Sequence, residues 1–346
     1  MLKIIIAILI FSFIVVFHEL GHFFVAKRCN VKVNEFWLGM GPNLFSFTKG
    51  ETKYCLKLLP FGGACVMEGE DEESDDERAF NKKPLWQRAL IVAAGPFSNF
   101  ILAAILCVIV VVAMGIDKPV VYYLTEGGSG QEAGLQVGDE VTKMGSYNIN
   151  FAHEVSPYIF FHSDEDIEVK FLRNGEEHTT IVTPKYNEEK GRYMIGVTWN
   201  PNRIDGNFFE DIYYGMCQMK YYIYSTFKSL SALITGQVSF KEMSGPVGIV
   251  KIIGDTYDQS KSSGALYIVM NLLNLSGLLS ANLFVMNLLP IPALDGGRLL
   301  LFLFEGIRGK KLNEKIEGRI HLVGFVLLMG IMVVVMYNDI VKIFVN

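Results

Sequence analysis

The stretch Phe17-His18-Glu19-Leu20-Gly21-His22 lies inside an apolar run from Leu2 to Val25, and that placement decides how the chain is read. A charged side chain at the centre of a bilayer costs about 3 kcal/mol or more. Three ionisable residues within little more than one helical turn therefore need a compensating partner, and a metal ion is one. Residues four apart share a helix face, so His18 and His22 can both reach a single ion. Glu19 is the next position along, free to act as a general base for water at that ion. The same apolar run also invites comparison with a secretory signal peptide. It is longer than the hydrophobic part of one, and its polar triplet sits where a small-residue cleavage site belongs.

Working outward, 51% of the 346 residues are hydrophobic and the mean hydropathy is +0.31, which suits membrane spans joined to a water-soluble module. A net charge of −5 gives no reason to expect a nucleic-acid partner. Five scattered cysteines, Cys29, Cys55, Cys65, Cys107 and Cys217, form no CxxC pair and no disulfide framework. Crossing the hydrocarbon core takes roughly 20 apolar residues. Four segments qualify: about Leu2 to Ala26, Ala89 to Gly115, Leu266 to Leu289 and Ile320 to Val341. The predicted fold class is a multi-span α-helical membrane protein with four transmembrane helices and an inserted β-rich domain.

Lysine and arginine set the expected orientation. Lys27, Arg28, Lys32, Lys49, Lys53, Lys57, Arg78, Lys82, Lys83 and Arg88 follow the first span, and Arg308, Lys310, Lys311, Lys315 and Arg319 precede the fourth. Both loops are expected in the cytoplasm. Both termini and the polar insert are then extracytoplasmic, in a multi-pass plasma-membrane protein. The acidic run from Glu68 to Glu77 reads as a solvated loop.

A catalytic zinc site usually has three protein ligands. The third candidate is Asp295, in Asn287-Leu-Leu-Pro290-Ile-Pro292-Ala-Leu-Asp295-Gly296-Gly297-Arg298. Here a carboxylate closes an apolar span among helix breakers, and irregular backbone at membrane depth is tolerated only where protein buries it or water reaches it. The alternative is a simple helix end, with Asp295 capping a helix from Arg298 onward. Both histidines and Asp295 fall near the cytoplasmic ends of spans running the same way, so the three can meet close to that surface.

With these motifs the chain resembles the site-2 protease family, intramembrane zinc metalloproteases, and in particular the branch typified by the regulator of sigma-E protease. HELGH and NLLPIPALDGG match its two defining motifs in order and spacing. The resemblance implies one Zn2+ per chain held by His18, His22 and Asp295, with Glu19 as catalytic acid/base. It implies transmembrane substrates, such as anti-sigma factors or remnant signal peptides, cut within the lipid bilayer. Asn287, Pro290 and Pro292 match a segment thought to hold the substrate strand or its reacting carbonyl. Asn287 reads equally well as a polar contact between helices. Gly39-Met-Gly41-Pro42 resembles the family's Gly-rich segment after the first span, and Tyr54 to Met67, with Gly62 and Gly63, resembles its membrane-associated β-hairpin loop, where an exposed strand edge can pair with an extended substrate.

From Thr125 to about Val197 the chain is polar. Its Ala133-Gly134-Leu135-Gln-Val137-Gly138-Asp139 run resembles a circularly permuted PDZ domain, with a plain β-rich domain as the alternative. Asn174-Gly175 between apolar alternations predicts a hairpin turn. Phe208 to Gln237, rich in tyrosine, reads as an interfacial amphipathic helix. The expected divisions are 1–116 for the first membrane half, 117–200 for the PDZ-like domain, 201–264 for an interfacial linker and 265–346 for the second membrane half. The competing function is a non-catalytic metal-binding scaffold or transporter carrying a PDZ peptide receptor. A transporter is expected to show repeat symmetry, and a dead scaffold has no use for Glu19, which is not a ligand.

Overall fold

The computed structural model describes residues 2–70, 74–163, 165–311 and 314–345. In chain order these form α1 (Leu2–Arg28), β1 (Val33–Lys49), β2 (Thr52–Met67), α2 (Leu85–Met114), β3 (Val121–Leu124), α3 (Ser129–Glu132), β4 (Glu140–Met144), β5 (Tyr147–Asn148), α4 (Ala152–Phe161), β6 (Ile167–Arg173), β7 (Glu176–Val182), β8 (Lys185–Asn187), β9 (Arg192–Met194), β10 (Val197–Trp199), α5 (Phe208–Ile234), α6 (Pro246–Ser260), α7 (Ala265–Leu288), α8 (Asp295–Arg308) and α9 (Glu314–Val345). Four helices are long and apolar enough to cross a bilayer: α1, α2, α7 and the Ile316–Lys342 part of α9. They coincide with the four expected spans, and the chain is a multi-span membrane protein with a β-rich insert. It divides into two compact units, Met1–Leu106 with Leu233–Asn346, and Cys107–Ala232.

In the first unit, α1 and α2 approach closely. A Cβ on Gly21 would lie 2.2 Å from the Ala94 carbonyl oxygen, and Ser98 Oγ donates across the contact to the Phe17 carbonyl at 2.8 Å. Small residues at such crossings let backbones meet where no hydrophobic effect drives helices together. Ile14, Leu102 and Leu106 pack with Leu273, Leu279 and Leu283 of α7. Beyond α7 the chain turns through residues 289–294 and enters α8 at Asp295 rather than at Arg298. Buried Arg88 donates to both carboxylate oxygens of Glu305, which fastens α8 to α2.

The hairpin is larger than the expected Tyr54–Met67 segment, because β1 contributes all of Val33–Lys49. Both strands fold back on themselves. Phe36 pairs with Tyr54 and also with Cys65, while Tyr54 pairs in addition with Phe47. The bend in β1 falls at Gly39, whose φ of 90° only glycine adopts readily, and whose missing Cβ makes room for the Leu59 carbonyl. This explains the poor alternation of Tyr54–Leu59. Residues 71–73 of the acidic run lie outside the described residues. Of its flanks, Glu68 and Asp76 share Lys32 at 3.4 and 3.2 Å.

Ser244-Gly-Pro-Val-Gly248 is the entry to α6. Pro246 occupies the first turn, and the Gly248 N–H donates to buried Asp339 of α9 at 2.8 Å. A carboxylate facing the first turn of a helix offsets its unpaired N–H groups. Gly245 admits the close approach, since a Cβ there would lie 2.8 Å from Val335.

The second unit has a four-stranded antiparallel sheet in the order β5-β4-β6-β7, with short pairs β10-β3 and β8-β9. Val141, Met144, Val169, Phe171 and Val182 point from it into a core closed by Val155 and Ile159 of α4. Arg173 pairs with Glu176 across Asn174 and Gly175, whose φ values of 54° and 86° make the expected two-residue turn. The sheet and its two short helices are consistent with a PDZ-like insert. The tyrosine-rich segment is one helix, α5, ending at Ile234 rather than Gln237.

Glu154 is 1% exposed in the first turn of α4, where it accepts the Asn150 N–H at 2.9 Å and its Oε1 has no hydrogen-bond partner among the described residues. Burial pushes its carboxyl up to about 7. The native state then holds a proton that the unfolded chain releases near 4.5. The associated stability is fully present below that value and is lost as pH rises through about 7. The shift corresponds to roughly 2–4 kcal/mol. We expect hydrogen-exchange protection of the α4 amides, measured on the full chain, to fall between pH 4.5 and 7.5, and Glu154→Gln to flatten that dependence.

Candidate metal centre

His18 and His22 sit on consecutive turns of α1 and are both buried against α2. Their Nε2 atoms lie 3.2 Å apart. Asp295 Oδ2, at the first position of α8, is 3.2 Å from His18 Nε2 and 3.6 Å from His22 Nε2. Among the described residues this is the group of three metal-ligating side chains whose donor atoms converge. A tetrahedral ion with ligands at about 2.0–2.1 Å has donor–donor edges of roughly 3.3–3.4 Å. The observed triangle is that size, so two imidazoles and a carboxylate fit a zinc ion with one position left for water or substrate.

Why Asp295 reaches the histidines follows from the loop before it. Its turns close on themselves, with Ile291 N–H donating to the Leu289 carbonyl and Leu294 N–H to that of Ile291. Gly296 and Gly297 follow because the loop lies on them: a Cβ on either would fall 2.3 Å from the Leu289 or Ile291 carbonyl oxygen. Ala293 takes a φ of 78°, costly for a residue with a side chain, and its N–H donates to His321 Nδ1 of α9 at 3.1 Å. Gly324, one turn further along α9, admits Pro292. His321 thus braces the loop that delivers Asp295, and its isolated position in an apolar span gave no hint of that.

Glu19 is beside the triad, with the Cys65 main chain of β2 near its carboxylate. Gly63 is where β2 passes closest, since a Cβ there would lie 3.1 Å from Glu19 Cγ and 3.0 Å from Val15. Gly62 bends the strand with a φ of 78°. A cavity of about 800 Å³ opens beside Asp295, lined by Ala64, Glu70, Arg298, Glu317, His321 and Phe325 among others. Of the remaining residues singled out from sequence, Pro292 belongs to the braced loop. Asn287 is half-buried on the last turn of α7, with no hydrogen bond to the triad among the described residues.

Sequence reasoning missed the contribution of α2. Gly95 faces the metal site directly: a Cβ there would lie 2.1 Å from His22 Nε2 and 2.8 Å from His18 Cε1. His22 Nδ1 is 2.9 Å from the Ile91 carbonyl oxygen and donates to it, which leaves Nε2 free to ligate. Pro96 lacks the N–H that the Val92 carbonyl would otherwise receive. The Gly95-Pro96 pair inside an apolar span was the available signal.

A family model described as Peptidase family M50 matches residues 6–331. A protein of Clostridium acetobutylicum is 40% identical over 340 residues, covering 98% of this chain and 97% of the relative. The zinc metalloprotease RasP of Geobacillus kaustophilus is 33% identical over 418 residues, covering 97% of each chain. The regulator of sigma-W protease RasP of Bacillus subtilis is 30% identical over 420 residues, covering 97% of this chain and 98% of the relative. The two RasP alignments have more positions than this chain has residues, so those relatives carry segments that it lacks.

Gly95→Ala places a methyl group where the ligand imidazoles stand. We expect zinc affinity, measured by competition with a chelator, to drop by at least about tenfold, of the size seen when a ligand's support is disturbed, while helix content stays unchanged.

Proposed function

This chain belongs to peptidase family M50, and from that premise we propose that His18, His22 and Asp295 hold one Zn2+ and that Glu19 moves the proton in hydrolysis of peptide bonds within or near transmembrane segments. The chain is an intramembrane zinc metalloprotease by family. The observation carrying the residue roles is the convergence of three donor atoms on one buried point with a carboxylate next to it.

Zinc, when bound, supplies Lewis acidity that polarises the scissile carbonyl and activates water near neutral pH. The protein's own residues do the rest. Glu19 accepts the proton of the attacking water at its carboxylate and delivers it to the nitrogen of the leaving amine. The Cys65 main chain lies beside that carboxylate. Its location in β2 means that the strand beside which a substrate would lie also runs past the base. A helical substrate hides its peptide bonds, so cleavage requires an extended segment. Gly62 and Gly63, without side chains, leave an approach for one along β2. Asn287, with two amide donors and an acceptor, and Pro292, in the braced loop, are the remaining substrate contacts in this reading.

The substrate class is a membrane protein with its cleavage site near the cytoplasmic end of a span, of the anti-sigma-factor or signal-peptide type. A relative named as a regulator of sigma-W protease supports the first of these. The distribution of lysine and arginine supports cytoplasmic placement of the metal site, with the termini and the PDZ-like insert outside. The insert is then a receptor for an extended peptide or a barrier to bulky ones.

Glu19→Gln is expected to retain one zinc per chain by elemental analysis while cleavage of a membrane-embedded reporter in detergent falls about 10²–10⁴-fold, the usual share of a general acid–base group. Undiminished cleavage by this variant would refute the assignment.

A further inference from the structure

Asn99 lies on α2 one turn beyond Gly95 and is fully buried. Its main-chain carbonyl accepts from Ser280 Oγ of α7 at 2.8 Å, which fixes the residue between two spans. Its side-chain amide nitrogen is 3.1 Å from His18 Nδ1, while its Oδ1 is buried without a partner among the described residues. These facts bear on which nitrogen of His18 carries a proton. An amide NH2 only donates, so with nitrogen toward the ring, Nδ1 must accept and the ring proton sits on Nε2. Nε2 is the atom that faces His22 and Asp295, and a protonated Nε2 cannot ligate. The two faces of an asparagine amide exchange by a half-turn of the last torsion, and the oxygen here gives up no hydrogen bond in turning.

We infer that Asn99 is a positioning residue of the metal centre: its amide oxygen accepts the His18 Nδ1–H and so holds the ring in the tautomer whose Nε2 lone pair is open to the metal. His22 already has the equivalent arrangement, with the Ile91 carbonyl as acceptor. Ile91 and Asn99 lie two turns apart on α2 and pair in antiparallel order with His22 and His18 on α1. One helix thereby supplies both imidazole ligands and its neighbour supplies both outer acceptors. An outer acceptor fixes ring orientation and raises ligand basicity, and losing one typically weakens metal binding 10–100-fold. The inference rests on the metalloprotease reading and reaches beyond it, because it assigns a task to a residue that touches neither substrate nor metal.

The test compares Asn99→Leu, Asn99→Asp and Asn99→Ser in the full chain in detergent, with zinc affinity read by chelator competition. Leucine keeps the volume and removes the acceptor, so affinity is expected to fall about 10–100-fold. Aspartate keeps an acceptor and is expected to stay within about threefold of the unaltered protein. Serine is too short to reach the ring and should fall as leucine does. If the leucine variant does not fold, aspartate against serine decides. Unchanged affinity in the leucine and serine variants, or an equal fall in all three as a packing role predicts, overturns the inference. Failure of the unaltered chain to bind zinc at all overturns the metalloprotease reading, and this inference with it.

Discussion

Helices α1 and α2 meet backbone to backbone where Gly21 lies against the Ala94 carbonyl, and the metal centre depends on that contact. Lipid tails are as apolar as leucine, so nothing like the hydrophobic effect presses two spans together, and close packing and hydrogen bonds must hold them. Gly21, Gly95 and Ser98 provide both. Because the axes are so near, His18 and His22 bury their rings against α2 without leaving their nitrogen atoms unpaired. A bulkier crossing would strand two imidazoles in an apolar medium, where an unsatisfied polar group costs several kcal/mol.

The second constraint is a broken helix at membrane depth. Residues 289–294 forfeit regular hydrogen bonding, which protein must restore. Short turns within the loop, the brace from His321 and the close packing of Gly324 on Pro292 restore it. The buried Arg88–Glu305 pair then holds the following helix against α2. Such a pair adds little net stability over an apolar equivalent, and its value lies in geometry: breaking it leaves a charge uncompensated, so α8 has one favoured seat. Asp295 is aimed by that seat and by the strained Ala293 together.

The folded hairpin has a comparable logic. Unpaired strand edges are a liability, and β1 and β2 double back so that Phe36 and Tyr54 each find partners on two sides. One edge of this small sheet runs past Glu19 at Gly63 and Cys65. Glu19 thus lies against a strand, and the neighbouring His18, His22 and Asp295 stand on helices. Two kinds of backbone meet at one point.

Much of this was written locally. The i, i+4 spacing of His18 and His22, the Asp295 carboxylate among two prolines and two glycines, four apolar runs of spanning length and the Asn174-Gly175 turn all act over a few residues, so the sequence displays them directly. What the tertiary structure decided is which distant groups complete them: Ile91 and Asn99 for the ligand rings, Cys65 for Glu19, His321 for the loop and Asp339 for the Ser244–Gly248 segment. The reason is physical. Within an apolar helix such as α2, hydrophobic pattern does not mark a face, because lipid and protein interior select the same side chains. The partner of each polar group is set by helix rotation and depth, which arise only when the spans pack.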